Sequence, residues 1–369
     1  MRSADAAVFV GCDRGLEVRS LPVLPPAEGR AVVDLVASGV CGTDVHILEG
    51  AIGIPAPFIP GHEFLGRVAE LGDGPHVDCL GRPVKPGDLV AVNVIEPCGS
   101  CLLCATGGAA SCINLMASLS YIADPDVAPH LHGGYAEATN CPTRYLQLLP
   151  PGLEPMAASA FLCAGPTVVR AMAYAGGVRP GEHVVVIGSG PVGLFGVLWA
   201  ARHGAASVTM IGSSSNPLRV ELARALGATT TLDIRASSAA ERLDAVRTAT
   251  GGVGADLVIE GAGAPDAFVE GLSLLRPRGR LALAGQYSDR GTAAIAPQLL
   301  TCNALQLFGS AQFTAEDREA CFQFLLSVRD AWPTILRLVT HRAPVREAAS
   351  LMEAARSGEA VKALLVAEG

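Results

Sequence analysis

The chain has 369 residues, half of them hydrophobic, with a charged fraction of 17% and a formal net charge of −8. That length can bury two substantial cores, and an acidic balance with no basic stripe excludes a general nucleic-acid binder. The most apolar stretch, VVVIGSGPVGLFGVLWAA, is broken by glycines and Pro191, which argues against a membrane span, and MRSADAAVFV lacks the charged and apolar regions of a secretory leader.

Residues 1–164 contain short β-like runs, AVVDLVASGV and RPVKPGDLVAVNV, among many Gly and Pro, with PGD at 86–88 as a turn. They predict a compact, mainly antiparallel barrel. GVCGTDVH supplies Cys41, Thr43, Asp44 and His46, and PGHEFLGRV supplies His62 and Glu63. A lone Cys or His is more often packed or at the surface than bound to a metal. Here a thiolate in a Gly-rich turn is followed by a hydroxyl and a histidine, a layout suited to a metal ligand and a proton path together. Asp44 has an ordinary alternative as the cap of the following turn.

Cys98, Cys101, Cys104 and Cys112 stand at C-x2-C-x2-C-x7-C, a spacing that lets four thiolates converge on one zinc ion. A closed four-thiolate set leaves no open position, so this lobe is expected to be structural. A disulfide knot would need an oxidising compartment and pairable spacings. The irregular stretch 113–134 then covers the lobe or shapes a substrate mouth, with Val94, Ile95, Leu119 and Tyr121 as candidate lining residues. Cys163, in AFLCAGPTVVRA, falls just before a nucleotide-binding pattern and is the best third ligand beside Cys41 and His62. Two thiolates and one imidazole leave one tetrahedral position for water or substrate. Metal-binding thiolates need a reducing compartment, which places the chain in the cytoplasm. Only two lysines occur, Lys85 and Lys362, a bias that reads as base composition and not as function.

In the second half, HVVVI at 183–187 is followed at once by GSGPVG, setting Gly188, Gly190 and Gly193 at G-x-G-x-x-G, with Pro191 and Val192 between them, before the apolar segment LFGVLWAARHGA. A strand before and a helix after turn this weak signal into a dinucleotide fingerprint. Phosphate would sit against the helix N-terminus, where unpaired N–H groups favour an anion. SVTMI, PLRVELARALG, TTTLD, SSAAERLDAVRTATG, DLVIEGAG, AFVEGLSLLRP, GRLALAG and LQLFG continue an alternation of strand and helix, hence a doubly wound parallel sheet. At the end of the second strand Gly212 occupies the position where an acidic residue would read the adenosine ribose. Ser213, Ser214 and Ser215 offer hydroxyls there, and Arg219 could reach a phosphate. This favours NADP over NAD, and an Asp at 212 would be expected to restore NAD. The ordinary alternative is a helix-capping loop with Asn216 as N-cap and Pro217 first in the helix. After residue 310, EDREACFQFLLSVRD and VREAASLMEAARSG read as helices and VKALLVAE as a last strand.

GVCGTDVH, PGHEFLGRV, the four-cysteine lobe, HGGYAEA at 132–138 and FLCAGPT, in this order, resemble the medium-chain zinc-dependent alcohol dehydrogenases over almost the whole chain. The resemblance implies an α/β protein in which a GroES-like, mainly β catalytic domain (1–164 and 311–369) is interrupted by a Rossmann domain (165–310). It implies two zinc ions per chain, the catalytic one on Cys41, His62 and Cys163, a set for which alcohol dehydrogenase is the standard example. It also implies NAD(P) and a homodimer or homotetramer. In such enzymes zinc lowers the pKa of a substrate hydroxyl, hydride leaves carbon for the nicotinamide, and the proton passes through a hydroxyl and the nicotinamide ribose to a histidine, here Thr43 and His46. Asp44 would orient His62, and Glu63 would approach the metal during ligand exchange. A cyclic or branched secondary alcohol is the expected substrate, with the ketone in reverse. One rival is a zinc-stabilised dinucleotide-binding protein without turnover, against which the intact ligand and relay positions speak. The other is the zinc-free quinone reductase branch, against which both cysteine sets speak.

Overall fold

The computed structural model describes residues 2–93, 97–114, 121–286 and 288–368. Two compact units result. The first ends at Cys163, resumes over Thr314–Arg329 and again from Val339 onward, and the second comprises Ala164–Phe313 and Asp330–Leu338. The expected run 311–369 is thus interrupted. Within the second unit Asp330 pairs with Arg202 at 2.5 Å and Arg337 with Glu221 at 2.7 Å, both at the surface.

In unit 1 the chain forms β1 (Ser3–Phe9), β2 (Leu16–Pro22), β3 (Arg30–Val40), α1 (Gly42–Leu48), β4 (Phe64–Leu71), β5 (Leu89–Val92), α2 (Leu102–Ala105), β6 (Ala138–Pro142), β7 (Leu146–Leu148) and α3 (Pro155–Ala160). Unit 2 adds α4 (Ala164–Ala175), β8 (His183–Ile187), α5 (Pro191–Arg202), β9 (Ser207–Gly212), α6 (Pro217–Ala225), β10 (Thr230–Asp233), α7 (Ala239–Ala249), β11 (Ala255–Glu260), α8 (Pro265–Leu274), β12 (Leu275–Leu283), α9 (Pro297–Asn303) and β13 (Gln306–Gly309). The tail supplies α10 (Ala315–Ser327) to unit 1, α11 (Trp332–Leu336) to unit 2, then β14 (Val339–Ala343), α12 (Ala348–Arg356) and β15 (Lys362–Val366) to unit 1.

Unit 1 is a seven-stranded sheet in the order β14-β15-β3-β4-β5-β7, with β6 also paired to β3, beside the hairpin β1-β2. All of its pairings are antiparallel except β14 with β15. β15 thus comes home to β3, with Ala363 opposite Val40, and its apolar residues join those of β1, β3 and β4 in one core with Phe9, Phe58, Phe64 and Tyr135. Tyr121 packs into that core against Phe58, ring centroids 5.9 Å apart. Val94, Ile95 and Leu119 lie outside the described residues.

Unit 2 is a parallel sheet in the order β10-β9-β8-β11-β12-β13. Val184–Ile187 are all buried, as a strand covered on both faces requires. The order reverses between β8 and β11, and in open α/β sheets ligands bind at the carboxyl ends of the strands at such a point. Helix starts follow local chemistry. Asn216 Oδ1 accepts the Leu218 N–H at 3.2 Å with Pro217 first in α6, and Ser238 and Glu241 form a reciprocal cap on α7.

Candidate active site and metal centres

Cys41 is the N-cap of α1, at the end of the long strand β3, and its backbone N–H donates to Asp44 Oδ2 at 2.9 Å. His62 and Glu63 follow a tight turn at Gly61, whose φ is +96°. Side chains at Gly61 or Gly133 would run into Tyr135 or the Ile59 carbonyl, so the two segments dock backbone to backbone: Gly134 N–H donates to Gly61 O at 2.9 Å and Tyr135 N–H to Pro60 O at 2.8 Å. This docking gives HGGY its role. It sets the buried Tyr135 hydroxyl 3.0 Å from Asp44 Oδ2. Asp44 Oδ1 then faces His62 Nδ1 at 3.3 Å, and neither atom makes a hydrogen bond to any other group. One buried carboxylate therefore both caps α1 and holds the imidazole. Cys163, in the turn after α3, completes the cluster. One ligand atom each from Cys41, His62, Glu63 and Cys163 lies within 4.8 Å of all the others.

The electrostatics of this cluster suit a cation. Cys41 lies well below the usual thiol range because the Cys163 thiol hydrogen-bonds to it, and Cys163 is raised in turn. Burial pulls His62 down, but Asp44 and the two sulfurs more than offset this and leave it raised. Two sulfurs and an imidazole thus crowd into one small space, and a divalent cation would satisfy all three. Thr43 Oγ1 is 3.8 Å from Cys41 Sγ, and His46 lies further along α1, half-buried.

A residue without a role in the sequence reading enters here. Lys362, the first residue of β15, donates its Nζ to Glu63 Oε2 at 2.5 Å and to Val40 O at 3.2 Å, with both charged side chains 2% exposed. Burial raises Glu63 to about 6 despite the ammonium beside it. A Cβ at Gly39 would stand 2.1 Å from Glu63 Oε2, so only glycine leaves room for the pair.

The four-cysteine lobe forms a second cluster, again with all ligand atoms within 4.8 Å. Its sulfurs are 3.4 Å apart for Cys101 and Cys104, and 4.0 Å for both Cys98–Cys104 and Cys101–Cys112. These are no disulfides. A Zn–S bond of about 2.3 Å implies sulfur separations of about 3.8 Å around a tetrahedron, so the donors fit zinc. Backbone N–H groups of Cys98 and Cys104 point at the sulfurs of Cys112 and Cys101, at 3.3 and 3.5 Å, as they would toward thiolates. Cys98, with Asn114 donating to its sulfur, falls to about 5.

In unit 2 the three glycines of the fingerprint differ in what surrounds them. Gly188, at φ +116°, abuts the Gly261–Ala262 backbone, and a Cβ at Gly193 would meet the Gly188 carbonyl at 1.9 Å. Gly190, the N-cap of α5, is open, with only Arg219 Nη1 3.9 Å from its Cβ position. That is the division of labour expected for a tight turn, close helix packing and approach of a pyrophosphate. Pro191 opens α5 and Val192 packs near Gly261. Arg219 donates to the Ser189 carbonyl at 3.4 Å, so it stands at the glycine turn. Gly212 does not occupy a site for a ribose-reading side chain: its Cβ would lie 2.6 Å from Ser189 Cβ. Ser213 bonds Ser215, and Ser214 bonds Asp233 at the end of β10.

A GroES-like unit with two thiolate clusters and a Rossmann unit with a dinucleotide turn define a zinc-binding, nicotinamide-linked oxidoreductase. Sequence comparison agrees. The alcohol dehydrogenase GroES-like domain profile matches residues 27–151 and the zinc-binding dehydrogenase profile matches 191–327. The chain is 36% identical over 367 residues, 99% of each chain, to 5-exo-hydroxycamphor dehydrogenase of Pseudomonas putida. It is 31% identical to sorbitol dehydrogenase of Bacillus subtilis over 80% of this chain and 79% of that one. An alcohol dehydrogenase structure from Thermotoga maritima superposes over 100% of both chains with a TM-score of 0.92 at 30% identity. The chain belongs to the zinc-dependent medium-chain alcohol dehydrogenases. Among the described residues, no helix is long and apolar enough to cross a membrane.

Proposed function

We propose that this enzyme oxidises a secondary alcohol on a ring or branched carbon, and reduces the corresponding ketone, with NAD(P) as the hydride partner. The convergence of Cys41, His62 and Cys163, each partly buried, carries the reading. The 36% identity to a dehydrogenase named for hydroxycamphor, whose hydroxyl is on a ring, supports the substrate class. Cys41, Cys163 and the ring nitrogen of His62 that does not face Asp44 would hold one zinc ion, and the four lobe cysteines another. A zinc ion in the first set supplies a Lewis acid that lowers the pKa of an alcohol. Asp44 fixes the His62 ring from behind. Lys362 neutralises Glu63, so the cluster does not gather a third negative charge beside two thiolates. Thr43 would accept the alcohol's proton as its own hydroxyl proton passes on, by way of the nicotinamide ribose, to His46, which releases a proton to solvent. The open face of Gly190, at the N-terminus of α5, receives the pyrophosphate of the dinucleotide. Cysteines that form no disulfide suit a reducing compartment, and we assign the enzyme to the cytoplasm.

The test is nicotinamide absorbance with zinc-replete protein over a panel of cyclic, branched and straight-chain alcohols. Turnover fastest with cyclic or branched secondary alcohols is expected. Preference for primary alcohols would refute the substrate class, and no turnover with either nucleotide would favour a protein that binds a dinucleotide without reacting it.

A further inference from the structure

The loop after β9 is built around a carboxylate that its own sequence does not announce. Asp233 closes β10, and the strand register sets it directly beside Gly212, the last residue of β9. Ser214 donates its hydroxyl to Asp233 Oδ2 in a short hydrogen bond and its backbone N–H to Oδ1 at 3.2 Å. The Arg235 N–H adds a third donor to Oδ1 at 2.9 Å. Ser213 is also committed, its hydroxyl donating to Ser215 Oγ at 3.1 Å while accepting the Ser215 N–H at 3.2 Å. Hydrogen bonds from Ser214 hold the Asp233 carboxyl below its ordinary range, so it is ionised at neutral pH.

The two nicotinamide dinucleotides differ at the ribose 2′ position. NAD carries a hydroxyl there, which can donate. NADP carries a phosphate of about two negative charges, which only accepts. A serine whose proton is committed to a carboxylate presents lone pairs, and the carboxylate presents more of them. Both accept from a ribose hydroxyl, and both repel a phosphate. Two cations temper this repulsion without replacing the carboxylate: Arg235 meets Asp233 through its backbone N–H and acts on it through its charge, and Arg219 donates to the Ser189 carbonyl of the glycine turn. We propose that the Ser214–Asp233 pair reads the 2′ position and makes the enzyme select NAD over NADP. Repulsion of the wrong ligand sets the preference, in the absence of an acidic residue at the end of β9 itself. This rests on the reading of unit 2 as the dinucleotide site.

Calorimetric titration of the zinc-replete protein with NAD and with NADP tests it. The unaltered protein should bind NAD at least about tenfold more tightly, a difference of about 1.4 kcal/mol. Asp233→Asn keeps the shape and an acceptor for the backbone N–H groups but removes the charge, and should cut that preference by roughly tenfold, mainly through tighter NADP binding. Ser214→Ala retains the carboxylate but removes one of the two acceptors, and should lower the preference for NAD by less than Asp233→Asn does. Equal or tighter binding of NADP by the unaltered protein would overturn the inference, as would an unchanged ratio in an Asp233→Asn variant of normal melting temperature. Either result leaves the dehydrogenase reading intact. Failure of both nucleotides to bind the unaltered protein would remove that reading, and this inference with it.

Discussion

Glu63 and Lys362 are each 2% exposed and 2.5 Å apart, so neither charge has water to fall back on. Removing one partner of such a pair leaves the other buried and unpaired, a loss of about 3–5 kcal/mol. Lys362→Met should therefore destabilise the protein by about that much in urea unfolding, and adding Glu63→Gln should recover a large part. A loss below about 1 kcal/mol would show that Glu63 finds another cation or takes up a proton at little cost. Gly39→Ala should imitate the single variant, since its Cβ would enter the space of Glu63 Oε2. The sequence could not show this pair. Lys362 stands alone in an apolar strand, and its partner is 299 positions away, so neither spacing nor composition links them. The convergence of Cys41, His62 and Cys163 was legible because three residues of metal-binding types in glycine-rich settings are uncommon together. The second task of Asp44 was legible only as a pair of alternatives, capping or orienting, and the fold lets one carboxylate do both.

At the scale of elements, the alternation of apolar runs and capped helices predicts every strand of the parallel sheet: β8, β9 and β11 are buried runs, helices opened by Asn-Pro or Ser-x-x-Glu carry their own boundaries, and the less buried edge strands β10 and β13 follow from the alternation. The end of β9 was less legible. A sequence gives the position of a strand end but not the neighbour its last side chain would face. Gly212 faces Ser189 in the glycine turn, and the acidic group of that corner comes from the next strand as Asp233. Gly212→Asp, the change that the sequence suggests for restoring NAD, should instead weaken NAD and NADP alike in titrations, because the new side chain displaces Ser189 between Gly188 and Gly190. A gain in NAD affinity alone would contradict this placement. Docking of HGGY onto the PGH turn was also hidden, since its meaning lies in backbone contacts that only glycines permit.

On the scale of the whole molecule, the chain builds its catalytic unit from three separate stretches, and the last of them brings both a sheet strand and the lysine that faces Glu63. The two clusters offer a cation different surroundings. One presents four sulfurs, and the other has three protein donors with a carboxylate turned aside toward an ammonium. Elemental analysis of zinc in the purified protein and in Cys163→Ala tests this division most directly, with alcohol turnover measured on the same samples. Two zinc ions per chain are expected in the unaltered enzyme, and one in the variant, still folded but without turnover. A variant that keeps both ions, or one that loses an ion yet turns over alcohol at the original rate, would contradict a catalytic zinc held by Cys41, His62 and Cys163.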